Sequence, residues 1–94
     1  MVFRIRFSED KNEFLKAVRG VSFEAVIAGL ASDALLADKQ HPGHNRPHQR
    51  IYVVRIENYA YVVPYVLDQE KQEIFLKTAY PSRKFTKQYL KGEK

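Results

Sequence analysis

RIYVVRIENYAYVVPYVL, residues 50–67, reads as two strands rich in β-branched and aromatic residues, Arg50–Ile56 and Tyr59–Leu67, joined by Glu57 and Asn58. With those two residues as the turn, Ile56 faces Tyr59, Val54 faces Tyr61, Tyr52 faces Val63 and Arg50 faces Tyr65. One face of the hairpin then carries Arg50, Tyr52, Tyr61 and Tyr65, and the other Ile51, Val53, Val62 and Val66. A third strand, Glu73–Tyr80, follows a polar loop from Asp68 to Gln72; five loop residues put Phe75 and Lys77 on the first face and Ile74 and Leu76 on the second. The aliphatic face is expected to receive the helices, which leaves the tyrosine, arginine and lysine face as a concave working surface. Because strands alternate with period two, a slip of one residue would exchange the faces. Pro64 has no N–H to give a ladder, so the second strand is expected to bulge there or to lack a partner on that side.

Upstream, Val2–Phe7 alternates apolar and basic residues as a first strand. Ser8 caps a helix over Glu9–Arg19, Glu9 and Asp10 suit its positive end, Phe14, Leu15 and Val18 mark its apolar side, and Gly20 ends it. Ser22 opens a second helix, with Val21 and Val26 spaced as a hydrophobic staple and Phe23, Val26, Ile27 and Leu30 as the buried stripe. Gly29 allows either close packing or a weakened last turn. A short strand at Ala34–Ala37 precedes a loop, His41–Pro47, broken by Pro42, Gly43 and Pro47. After Pro81, Ser82 caps a final helix that turns Phe85, Tyr89 and Leu90 inward and its lysines outward. The expected product is one α+β domain spanning residues 1–94.

Composition narrows the partners. With 45% hydrophobic and 29% charged residues the chain reads as globular, and six Phe and six Tyr supply much of its core. Absence of cysteine rules out disulfides, thiolate metal sites and a cysteine nucleophile, and suits a cytoplasmic setting. No apolar run has the length of a signal peptide or membrane span, so no membrane partner is expected. Net charge is +5, and the last fourteen residues hold five cations against one carboxylate. Between Lys39 and Ile56 lie three histidines, three arginines and a lysine with no carboxylate. Such a surface meets an anion: cations attract phosphate and tyrosine rings offer faces to bases, which points to nucleic acid and to RNA first. A solvated loop would hold the same residues, and an acidic protein would read the same charge.

Lys11-Asn12, then seven residues, then Gly20-Val21-Ser22-Phe23-Glu24 resembles the N-terminal signature of the BrnT toxins, part of the wider RelE-like group of bacterial type II toxin-antitoxin ribonucleases. Gln49-Arg50-Ile51-Tyr52-Val53-Val54, and Leu76-Lys77-Thr78-Ala79 before a basic helix, fall where that family places its central strands and C-terminal segment. The resemblance covers nearly the whole chain. It implies a RelE-like α+β fold: an N-terminal strand and helical hairpin packed on one face of a mainly antiparallel sheet, with a basic C-terminal helix. It also implies an endoribonuclease that cuts mRNA, at the ribosome or free of it, and so inhibits translation and growth. A ribbon-helix-helix antitoxin would hold it inactive, and operator DNA would be bound only through the antitoxin complex. The chain departs from the family where Val18-Arg19 replaces a basic residue and histidine, where Thr78-Ala79-Tyr80 replaces Ser-Ala-Arg, and where Thr86 stands near a common glutamate. The alternative is therefore an antitoxin-binding or RNA-binding module without cleavage.

Metal-free RNA cleavage needs a group to deprotonate or orient the 2′-hydroxyl, a cation on the phosphate, and an acid for the departing 5′-oxygen. His48, with an ordinary pKa of about 6.5, can serve as acid or base. Arg50, Lys77 and Arg83 would hold the phosphate, the arginines through their planar fork. Tyr61 and Tyr65 would stack bases or donate a hydrogen bond, with His44, Arg46, Lys84 and Lys87 extending the RNA contact. His41, His44 and His48 recur at gaps of three and four, but proline and glycine forbid the helix that would align them and Asp38 is the one nearby carboxylate. No metal or other cofactor is expected, and no glycine-rich phosphate loop or Ser-His-Asp motif is present.

Overall fold

The computed structural model describes residues 3–40 and 49–90. In chain order the elements are β1 (Arg4–Phe7), α1 (Glu9–Arg19), α2 (Phe23–Leu30), β2 (Leu35–Gln40), β3 (Gln49–Ile56), β4 (Tyr59–Asp68), β5 (Glu73–Leu76), β6 (Tyr80–Pro81) and α3 (Arg83–Leu90). The strands form one mixed, mostly antiparallel sheet in the order β1-β5-β4-β3-β2, with β6 alongside β4 beyond the end of β5. β1 alone is parallel to its neighbour. The α+β class, the early helical hairpin and the late helix expected from the sequence are all present.

The helical hairpin forms for local reasons. Ser8 accepts a hydrogen bond from the Lys11 N–H at 3.2 Å and Ser22 from the Ala25 N–H at 3.1 Å, so each helix start has its cap. Gly20 closes α1 in the left-handed region at φ 68°, where a side chain is disfavoured. The wholly buried Asn12 joins the two helices: its Oδ1 accepts from the Phe23 N–H at 2.8 Å, and its Nδ2 donates to Glu24 at 2.9 Å. Leu15 is the buried apolar residue of α1, whereas Phe14 and Val18 are 45% and 61% exposed, so the inward face of α1 is narrower than expected. Gly29 is a close-packing position, since a Cβ there would lie 2.6 Å from Val54 Cγ1.

The β3–β4 hairpin has the register read from the sequence, with Ile56 opposite Tyr59, Tyr52 opposite Val63 and Arg50 opposite Tyr65. Glu57 and Asn58 both have positive φ, 53° and 67°, which is the backbone of a type I′ turn. Pro64 causes no bulge: pairing with β3 runs unbroken across it. Its carbonyl accepts from the Lys77 N–H at 2.9 Å, so its nitrogen also points away from β3, toward the gap between β5 and β6 where no donor is needed.

The face assignment is corrected. α1 and α2 lie on the tyrosine side, where Leu15, Val21, Phe23 and Val26 pack with Tyr52, Val54, Val63, Tyr65 and Leu76. α3 lies on the other side and sets Phe85, Tyr89 and Leu90 against Ile51, Val53, Ala60 and Val62. Both sides of the hairpin are thus buried, and a tyrosine ring supplies apolar area to a core as readily as a leucine. The turn into β5 is also shorter than expected. Asp68 pairs with Glu73 and Tyr65 with Leu76, so Leu76 joins the helical-hairpin core and Phe75 turns to the α3 side. The strand expected over Glu73–Tyr80 is two, broken at Lys77–Ala79, and the strand expected over Ala34–Ala37 runs over Leu35–Gln40 with a bulge at its start. Ser82 caps α3, accepting from the Phe85 N–H at 3.1 Å.

Candidate nucleic-acid interface

Arg50 and Tyr65 are brought together, but into a network with Asp38 in which Tyr65 is buried and Arg50 and Asp38 are partly exposed. The Arg50 Nε–H is shared between the Tyr65 hydroxyl at 3.0 Å and Asp38 Oδ1 at 3.2 Å, and its Nη2 donates to the Asp38 carbonyl at 3.2 Å. The Tyr65 O–H in turn donates to Asp38 Oδ1 at 2.6 Å. Burial first, then the hydrogen bond to Asp38, pushes the Tyr65 hydroxyl well above the ordinary tyrosine range, while the bond to Tyr65 helps keep Arg50 charged. Tyr65 stacks on Tyr52 with ring centroids 4.0 Å apart and planes at 12°, and it is 3% exposed. The ring expected to receive a base is occupied by another tyrosine. Tyr61 is half-buried against the same core, with its ring edge-on to Tyr59.

The remaining candidates lie elsewhere. Lys77 is exposed in the break between β5 and β6, and Arg83, Lys84 and Lys87 are exposed on α3. α3 packs on the sheet face opposite the Arg50–Tyr65 network, so the expected phosphate-holding set is divided between two faces. His44, Arg46 and His48 lie outside the described residues, as does His41. Among the described residues no three His, Cys, Asp or Glu side chains are grouped to hold a metal ion, and no helix is long and apolar enough to cross a membrane.

The face beside α3 gathers cations the hairpin reading did not place in the site. In β1, Ile5 and Phe7 pack toward the helical hairpin, so alternation sends Arg4 and Arg6 to the α3 side, where both pair with Glu73 at 3.7 and 3.5 Å. Arg6 is in register with Phe75, which is 41% exposed. In β2, Lys39 is opposite Ile51 and shares its face. Among the described residues α3 covers the β3–β4 half of this side, and Arg4, Arg6 and Phe75 are exposed on the β5–β1 half. Where α3 meets the sheet, a cleft of about 360 Å³ is lined by Ile51 and Val62 of the sheet, the rings of Tyr80 and Phe85, and Lys39 and Lys84. Their Nζ atoms stand 5.2 and 5.8 Å from the Phe85 ring centroid, close enough for cation–π attraction. The signal for Lys39 was present in the sequence: once Ile51 is assigned a face, an antiparallel neighbour places Lys39 on it.

No family model, curated protein or solved structure matches this chain.

Proposed function

We propose that this protein is an RNA-directed toxin of the BrnT kind, which acts on mRNA to arrest translation and growth and is silenced by a ribbon-helix-helix antitoxin. The observation that carries this reading is the half-covered sheet face beside α3. There Lys39, Lys84, Arg4 and Arg6 accompany the exposed rings of Phe75 and Tyr80, a combination suited to phosphate and unpaired bases. The layer order supports it, because an N-terminal strand, a helical hairpin and a basic last helix are what the resemblance implies.

Two forms of the reading differ in chemistry. In the first the protein is a metal-independent endoribonuclease with His48 as acid or base. In the second it binds RNA without cutting. The Asp38–Tyr65–Arg50 network favours the second, since it engages Arg50 and Tyr65 with each other on the face away from the α3 lysines. Induction of the gene alone and with its genetic neighbour, with transcript ends mapped, tests both forms. Arrest with new transcript ends, lost in His48→Ala, supports cleavage; arrest without new ends supports binding. Absence of arrest contradicts the toxin reading.

A further inference from the structure

We infer that the cleft between α3 and the sheet is a subsite for one unpaired nucleotide of single-stranded RNA, its phosphate bridging Lys39 and Lys84 and its base lying against Tyr80. This deepens the RNA-directed reading, rests on it for the polymer, and can fail separately from it.

Lys39 and Lys84 come from different elements, yet both ammonium groups stand over one ring. Among the described residues no carboxylate lines the cleft and neither lysine makes an ion pair. Two lysines lining one cleft with no carboxylate among its described lining residues make a place for an anion, and a phosphate group can accept from both. The floor beneath them is apolar, made by Ile51 and Val62, and Tyr80 is 40% exposed, so the space beside the anion suits a flat ring. Gln88 adds an amide that can both donate to and accept from a base edge. At about 360 Å³ the cleft has the volume of a small ligand pocket. A base must leave its stack to enter, which selects single strands over duplex. Beyond the cleft, Phe75 and Arg6 continue the same face toward the sheet edge and offer a ring and a cation to the next nucleotides.

Fluorescence anisotropy of a labelled mixed-sequence hexaribonucleotide across a salt series, with free UMP and AMP as competitors, tests the subsite. Lys39→Gln/Lys84→Gln is expected to weaken binding about tenfold or more and to lower the slope of log K against log salt by about 0.7 for the phosphate lost. Tyr80→Leu is expected to weaken binding about tenfold with the slope unchanged. Lys11→Gln/Lys16→Gln on α1, which removes the same charge elsewhere, should stay within about threefold of the parent. The single variants Lys39→Gln and Lys84→Gln carry the test should the double variant fail to fold. Equal weakening by the α1 pair, a neutral Tyr80→Leu, or no hexamer binding at low salt overturns the subsite. Displacement of the hexamer by polyglutamate at equal charge would assign the cleft to an acidic protein, and displacement by UMP or AMP as effective as by unlabelled hexamer would assign it to free nucleotides; each overturns the RNA proposal. Growth arrest that persists with unaltered binding in the double variant sinks the subsite and spares the toxin reading. Binding lost in that variant, with no arrest by the parent, does the reverse.

Discussion

Asn12 is wholly buried, and both ends of its amide are spent on the first residues of α2. This explains the spacing from Lys11-Asn12 to Gly20-Val21-Ser22-Phe23-Glu24. Gly20 ends α1 in the left-handed region, Ser22 caps α2, and Asn12 reaches across to the Phe23 N–H and the Glu24 carboxylate. The string that carries the family resemblance is therefore helical-hairpin mechanics, which speaks to fold rather than to chemistry. Asn12→Ala would leave a buried N–H without its acceptor and should cost about 2–3 kcal/mol in urea unfolding. The Asn12 amide also holds Glu24 below the usual carboxylate range, so that contribution is present at neutral pH and fades as pH falls through the lowered pKa. Tyr65 has the opposite sign. Its pKa is raised in the folded state, so its contribution is full below the unfolded value of about 10 and declines above it, as the unfolded chain ionises first. Unfolding midpoints measured at pH 9 and pH 11 should show a smaller alkaline loss for Tyr65→Phe than for the parent.

The β3–β4 hairpin was legible residue by residue, and its surroundings were not. Two residues between Ile56 and Tyr59 leave one sensible pairing, and β-branched alternation sustains it to Arg50 and Tyr65. Alternation says which side chains share a face but not which face a helix covers. Tyr52 and Tyr65 were read as polar working residues, yet their rings stack and bury under α1 and α2. The β4–β5 connection was misread by one residue, and that reversed Phe75 and Leu76. Phe14 and Val18 look like a core stripe only if α1 buries a broad face, whereas it buries Asn12 and Leu15. The turn itself is testable. Glu57 and Asn58 both take positive φ, where an acidic side chain with a Cβ is strained, so Glu57→Asn/Asn58→Gly should raise stability by about 0.5–1 kcal/mol without changing the denaturant slope.

As a whole, the molecule is a sheet with two unequal sides. Two helices pack on one side over a tyrosine-bearing core, and one basic helix packs on part of the other. Leu15, Phe23, Val26 and Leu76, each nearly or wholly buried, contribute about 1.5–3 kcal/mol apiece through removal from water and hold the first side shut. The second side keeps Arg4, Arg6, Lys39 and Lys84 beside the exposed rings of Phe75 and Tyr80. Charge in the sequence pointed to an anionic partner, and only the packing of three helices distinguishes the two sides, on one of which such a partner is proposed to act. The tyrosine side holds Arg50 and Tyr65 in a network with Asp38, buried at Tyr65 and partly exposed at Arg50 and Asp38, which accounts for why residues chosen as one catalytic set do not converge. Photocrosslinking of 4-thiouridine-substituted single-stranded RNA, with the modified peptides identified by mass spectrometry, separates the two sides in one measurement. Adducts are expected on β6, α3 and β5, at Tyr80, Phe85 or Phe75. Adducts concentrated on α1 and α2, with none on those three elements, would contradict an RNA face beside α3.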